Sequence, residues 1–177
     1  MTNPLRPGAD AHPEVTRLWF KEDGLLPNNP AFPALLYKSV LKDPDRADTV
    51  FAANGWTRNW RDGVFGYPHY HSNAHEVLGV ISGTATLQLG GDQGAAVEVA
   101  AGDVVVLPAG TAHKRLASSP DFLVAGVYPG GADYNTRRAT LAEREEALPE
   151  IQRVGLPESD PVYGSKGPLM EAWVRPG

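Results

Sequence analysis

The stretch FGYPHYHSNAHEVLGVISG, Phe65 to Gly83, carries three of the chain's five histidines, His69, His71 and His75, directly ahead of Glu76. Imidazole nitrogen and carboxylate oxygen are the donors that divalent transition ions take. On extended backbone, side chains two apart point the same way, so His69 and His71 can reach one ion together. Four residues, SNAH, then separate His71 from Glu76, enough for the chain to bend and offer a carboxylate. His75 and Glu76 are neighbours, and on a shared strand only one of them faces the ion. The residues that follow do not choose: Leu78 and Val80 share parity with Glu76, and Val77 and Ile81 share it with His75. Both stay open on this ground. A second signal lies in GDVVVLPAGTAHKRL, where Gly102-Asp103 marks a turn, Val104 to Leu107 a buried run, and Pro108-Ala109-Gly110 a reversal. His113 then opens the returning segment.

Short β-strands must position these groups. From Trp56 onward the runs HEVLGVIS, TATLQLG, AAVEVA, DVVVLP, HKRLAS and DFLVAGVY are separated by Gly, Pro, Asp or Ser. In TATLQL, Ala85, Leu87 and Leu89 alternate with Thr84, Thr86 and Gln88, as in a strand with one buried face. This pattern predicts an all-β sandwich or barrel. Ahead of it, residues 1–55 read as an N-terminal arm: a loose start, a strand at EVTRLWFK, a rigid turn at PNNPAFP, and a short helix with Asp43 as N-cap, Pro44 at its first position and Gly55 as its stop. Residues 56–130 form the barrel core. Residues 131–177 supply a helix starting at the capping box Thr140–Glu143, ended or restarted by Pro149, and a tail whose Trp, Met, Leu and Tyr content predicts that it packs back on the one domain.

The composition excludes several functions. A net charge of -5, with no basic patch interleaved with aromatics, argues against nucleic acid and anionic membranes as partners. No apolar run is long enough to span a bilayer, and the first residues lack the apolar centre of a secretory signal, so a cytoplasmic location is expected. With no cysteine, any metal site uses nitrogen and oxygen. Glycine (19) and proline (16) make up nearly a fifth of the chain and favour turns and short strands over a helical bundle.

The two motifs together resemble the cupin superfamily. His69, His71, Glu76 and Gly83 fit the spacing His-x-His-x(3,4)-Glu-x6-Gly of its first motif. Gly102, Pro108, Gly110 and His113 fit its second, Gly-x5-Pro-x-Gly-x2-His-x3-Asn, with Ala117 at the last position. Over most of the chain PNNP, HYHSNAHEVLGV, TATLQLGG, AGDVVVLPAGTAHK and SDPVYG are similar to the YjlB-type cupins. The resemblance implies a single-domain jelly-roll β-barrel holding one metal by His69, His71, Glu76 and His113, which favours Glu76 over His75 as ligand. Three neutral imidazoles and a carboxylate suit one divalent ion of Fe, Mn, Ni, Co or Zn and suit Ca or Mg poorly. In a six-coordinate ion two adjacent positions remain for water, dioxygen or a chelating substrate.

Around this set, His75 is expected either to face solvent or an interface, or to support the ligands. Tyr67, two before His69, and Arg115, two after His113, are expected by parity to point to the same interior. Trp56, Trp60, Tyr67 and Tyr70 read as core or interface aromatics, and Arg58 and Arg61 as surface charges. The implied function is a metalloenzyme acting on a small oxygen-rich molecule by dioxygenase-, isomerase- or decarboxylase-type chemistry. The alternative is a small-molecule binding or sensing module that keeps the metal without turnover. A structural cupin with a vestigial site is disfavoured by the complete ligand set. Exposed sheet edges and faces predict a homodimer, with the arm and the Trp-containing tail as candidate covers.

Overall fold

Each alternating or all-apolar run of the sequence becomes a strand. The computed structural model describes residues 15–175, and the loose start expected for residues 1–14 lies outside the described residues. The strands are β1 Val15–Leu18, β2 Ala34–Tyr37, β3 Trp56–Asp62, β4 Glu76–Ser82, β5 Thr84–Leu89, β6 Ala95–Ala100, β7 Val104–Leu107, β8 His113–Ser118 and β9 Leu123–Pro129. They form two antiparallel sheets, ordered β1-β2-β7-β4-β9-β3 and β6-β5-β8. The jelly roll is thus two facing sheets rather than one closed hydrogen-bonded cylinder. The segment read as an arm supplies β1 and β2, which extend the larger sheet through β7.

Two cores flank the larger sheet. Between the sheets lie Leu78, Val80, Ala85, Leu87, Leu89, Val105 and Leu107. On the outer face Leu35, Tyr37, Val77, Val104, Val106 and Val127 pack against Phe51, Trp56, Leu169 and Trp173. Strand β4 is therefore buried on both faces, and its first six residues have no exposed member. That is why the parity of EVLGVIS carries no information: a strand covered twice loses its polar alternation. On the outer face the helix α1, Ala47–Ala53, seats Phe51 against Gly79, where a Cβ would lie 2.7 Å from the ring.

Two local expectations are corrected. Asp43 precedes a 3-10 turn at Pro44–Arg46 but makes no side-chain capping hydrogen bond. Pro149 neither ends nor restarts the helix α2, which runs from Leu141 to Arg153. Proline removes one N–H, but this one stands in the helix's second half, where buried Ala147 and Ile151 hold the turns on either side of it. The capping box forms: Thr140 Oγ1 accepts from the Glu143 N–H at 3.2 Å. The tail folds back on its own chain, with Trp173 stacked on Phe32 at 5.3 Å and its indole N–H donating to the Pro33 carbonyl. It includes a third short helix, α3, Pro168–Ala172.

Candidate metal centre

His69 and His113 sit opposite each other in an isolated antiparallel bridge, His69 N–H to His113 O at 3.2 Å and His113 N–H to His69 O at 2.9 Å. Residues paired in this way project to the same side, and the two imidazole centroids are 4.1 Å apart. His71, two residues on, takes the same side, and its carbonyl accepts the Gly110 N–H at 2.7 Å from the Pro108–Gly110 reversal. The ligand nitrogens of His69, His71 and His113 all lie within 4.8 Å of one another, and all three residues are buried. Glu76 opens β4 beside Leu107 and points inward. Its Oε2 is 3.1 Å from His71 Nε2, and its Oε1 is 3.2 Å from His113 Nε2.

The tautomers follow from the backbone. Nδ1 of His69 faces the Tyr67 carbonyl, Nδ1 of His113 the Thr111 carbonyl, and Nδ1 of His71 the Asn135 carbonyl. A carbonyl only accepts, so each Nδ1 carries the hydrogen and each neutral ring turns a bare Nε2 lone pair inward. Three lone pairs and a carboxylate thus converge with no donor among them. Tyr128 donates its hydroxyl to Glu76 Oε2 at 2.6 Å and accepts the Trp60 indole N–H at 2.8 Å. Glu76 Oε1, fully buried, has no hydrogen-bond partner. A buried acceptor left unpaired is costly, and a cation between it and the nitrogens removes that cost.

The electrostatics agree. Burial alone would raise the Glu76 pKa, but His71 and His113 outweigh it and hold the carboxyl well below the usual range. Burial, reinforced by His113, pulls His69 down to about 3. Burial also opposes charge on His71, yet the adjoining Glu76 carboxylate raises it overall. Oε1 of Glu76 is still left without a hydrogen-bond partner. The donor set fits a transition ion: neutral imidazoles and one carboxylate at bond lengths of about 2.0–2.2 Å, reached by small side-chain shifts.

A cavity of about 310 Å³ opens onto these groups, walled by Trp60, Phe65, Leu78, Tyr128 and Tyr134. Tyr134 stacks on Tyr128 at 4.1 Å and meets the His71 ring edge-on at 5.2 Å. The segment that carries it is tied down by polar contacts. Asn135 Oδ1 accepts the Ser72 N–H at 2.9 Å, and Arg137 donates to Ser72 Oγ at 2.8 Å while pairing with Glu146 and Glu150 of α2.

The structure moves three expected residues away from the cavity. His75 does not face solvent, since it is 1 % exposed on the outer face of the sheet. Its Nδ1 accepts the Ala109 N–H at 2.9 Å, its Nε2–H donates to the Gly155 carbonyl at 2.9 Å, and its ring lies 4.7 Å from Trp173. Both nitrogens are used, so it is a neutral pin between the Pro108–Gly110 reversal and the tail. Tyr67 turns its ring outward, stacked with Phe65 and covered by the Arg138 guanidinium at 3.7 Å, while only its carbonyl serves His69. Arg115 stays in register opposite Leu87, but it is exposed and does not line the cavity: its guanidinium lies out beside Gly66. Tyr128, Tyr134 and Asn135 escaped sequence reasoning. Tyr128 lies in the uniformly apolar run LVAGVY, and Asn135 acts through its backbone carbonyl, which no residue type reveals. Trp60, read as core, lines the cavity, while Trp56 and Tyr70 are core residues and Arg58 and Arg61 are exposed.

The neutral state of His75 has a measurable consequence. Burial lowers its pKa to about 4 in the folded chain, against 6.5 for an unperturbed ring. Between these values the unfolded chain binds the extra proton, so stability falls as pH drops through the window. By pH 5 His75 is expected to have removed roughly 2 kcal/mol. Urea unfolding of metal-free protein at pH 7.5 and 5 should show a smaller pH-dependent loss for His75→Gln than for the parent, and equal losses would contradict the assignment.

The family model for the cupin domain matches residues 61–120, from β3 through β8. The uncharacterized protein YjlB of Bacillus subtilis (strain 168) is 46% identical over 162 residues, covering 92% of this chain and 98% of the relative. The chain belongs to the cupin superfamily, in its YjlB-like branch. Two solved structures are similar at lower identity. An uncharacterized conserved protein with a double-stranded beta-helix domain from Klebsiella pneumoniae is 15% identical, the match covering 78% of this cupin and 89% of that chain with a TM-score of 0.38. An acireductone dioxygenase from Bacillus anthracis with a cadmium ion in its active center is 19% identical, with a TM-score of 0.38. It matches 51% of this cupin, which spans only 60% of that chain. No helix among the described residues of this cupin is long and apolar enough to cross a membrane.

Proposed function

We propose that this cupin is a metalloenzyme acting on a small oxygen-rich molecule, with His69, His71, Glu76 and His113 holding one divalent ion of Fe, Mn, Ni, Co or Zn. The unpaired Oε1 of Glu76, facing three inward lone pairs in a buried site, carries this reading. A bound ion would supply Lewis-acid polarisation of a carbonyl, enol or hydroxy-acid oxygen and, if redox-active, electron transfer. The chain's own residues do the rest. Backbone carbonyls hold each imidazole in the Nε2-ligating tautomer, the outer-partner arrangement that raises ligand basicity. Tyr128 orients Glu76 and, with its hydroxyl engaged at both ends, keeps that carboxylate from turning into the cavity. The aromatic walls exclude water from the reacting face.

Metal analysis of protein purified without a histidine tag tests the reading. The parent should carry close to one transition ion per chain, and His71→Ala almost none. Equal, substoichiometric metal in both would overturn it.

A further inference from the structure

The walls of the cavity speak to what it accepts. Of its lining, Trp60, Phe65, Leu78, Tyr128 and Tyr134 present rings or hydrocarbon. The Tyr128 hydroxyl is already engaged at both ends, donating to Glu76 and accepting from Trp60. Apart from the four proposed ligands, the polar side chains on the lining that remain are Arg61, Asp62, Tyr134 and Thr136. Arg61 is the one lysine or arginine among the described lining residues, and it is turned away. Its guanidinium pairs with the Asp48 carboxylate of α1 at 3.1 Å and donates to the Asp45 carbonyl at 2.6 Å. Phe65 stands at the mouth 52 % exposed, an unusual position for a phenyl ring beside a buried polar cluster.

Charge narrows the choice further. Three neutral imidazoles and one carboxylate around a divalent ion leave one net positive charge, which a single anionic oxygen group neutralises. A second anionic group, as in a dicarboxylate or a phosphorylated sugar, finds no free cation on the lining. A polyol meets mostly ring and hydrocarbon, with Asp62, Tyr134 and Thr136 as the polar side chains beyond the ligands and the engaged Arg61 and Tyr128, so most of its hydroxyls lose their water without replacement.

From this geometry we infer that the site selects a monoanionic bidentate oxygen chelator with a flat, apolar body, an enolised diketone or a catechol-type ring, whose body lies between Phe65 and Tyr134. The same walls disfavour sugars, sugar phosphates and polyhydroxy acids. The inference rests on the metal-binding reading above, deepening it from oxygen-rich molecules in general to one chemical class. Aromatic contacts prefer offset or edge-on packing at centroid separations of about 4.5–7 Å. Phe65, exposed and already stacked with Tyr67, and Tyr134, stacked on Tyr128, are the specificity-determining residues.

Zinc-loaded protein, which binds without redox turnover, provides the test. Zinc per chain is measured first, then 4-nitrocatechol is titrated by its visible absorption shift, with gluconate as competitor, and zinc is measured again at the end. Nitrocatechol should bind at least about 100-fold more tightly than gluconate. Phe65→Ser, at an exposed position, and Tyr134→Ser, at a half-buried one, should each weaken nitrocatechol about 10-fold with zinc content unchanged. Zinc near one per chain with gluconate binding as well as nitrocatechol overturns the inference, as does unchanged nitrocatechol affinity in both variants. Zinc far below one per chain in the parent overturns the underlying metal reading instead.

Discussion

A Glu76→Gln protein should fold as well as its parent yet hold a divalent ion at least about a hundred-fold more weakly, a loss at or above that seen when outer partners of metal ligands are removed. The two halves of this expectation come from the same atoms. In the metal-free chain the carboxylate is buried, its Oε1 unpartnered, with a bare nitrogen of His113 at 3.2 Å. An amide of the same shape keeps an oxygen for the Tyr128 hydroxyl and turns an N–H₂ toward the nitrogens, converting an acceptor crowd into a hydrogen bond. The same exchange removes the one negative charge among the ligands. Competitive titration with a fluorescent chelator and the melting temperature of the metal-free protein check both halves. Undiminished affinity would remove Glu76 from the ligand set, and a sharply lower melting temperature would mean that the carboxylate serves the fold itself.

The second large effect lies far from the cavity. Asp160 is fully buried and accepts from four donors: the Tyr37 hydroxyl at 2.5 Å and the backbone N–H groups of Val162 at 2.8 Å, Tyr163 at 3.0 Å and Leu169 at 3.0 Å. Through these bonds β2 holds the tail that carries α3 and Trp173. Asp160→Ala takes the acceptor from all four at once, and hydrogen bonds to a charged group are worth more than ordinary ones, so a loss on the order of 4 kcal/mol is expected. Asp160→Asn keeps part of the acceptor capacity and should lose about half as much. Urea unfolding followed by tryptophan fluorescence reads both. An alanine variant within about 1 kcal/mol of the parent would refute the role.

How far this architecture was legible in the residues differs from element to element. Strands β4 to β9 were plain because each is a short apolar or alternating run closed by Gly, Pro, Asp or Ser. In the arm, β1 was legible in EVTRLWFK but β2 was not: Ala34–Tyr37 is only four residues after a proline-rich turn, and its partner β7 lies some seventy residues on. The three histidines were legible because two motifs mark them. The competition between His75 and Glu76 was not legible from pattern, since β4 is covered on both faces and either parity is apolar. The structure places Glu76 with the inner core and His75 with Phe32 and Trp173 outside. Parity did not place the Arg115 head group, because β8 stays regular through that residue and yet its long side chain extends out beside Gly66 at an exposed position. Asn135 was beyond reach for another reason: its contribution to His71 is a main-chain oxygen, and its side chain serves only to seat that backbone against Ser72, beside Asn73 and Arg137.

That main-chain oxygen sets His71 apart from its two companions. His69 and His113 each lean on a carbonyl two residues upstream and carry their orientation with them wherever their own turn forms. His71 borrows its orientation from position 135, which is anchored in turn through Arg137 to the acidic side of α2. Occupancy by the proposed ion and the seating of residues 133–137 would then be thermodynamically linked, each strengthening the other by an equal factor. Weakening the Arg137 pairings with salt would loosen the grip on the ion from a distance, and chelation would in turn unfasten a stretch of backbone that never touches it.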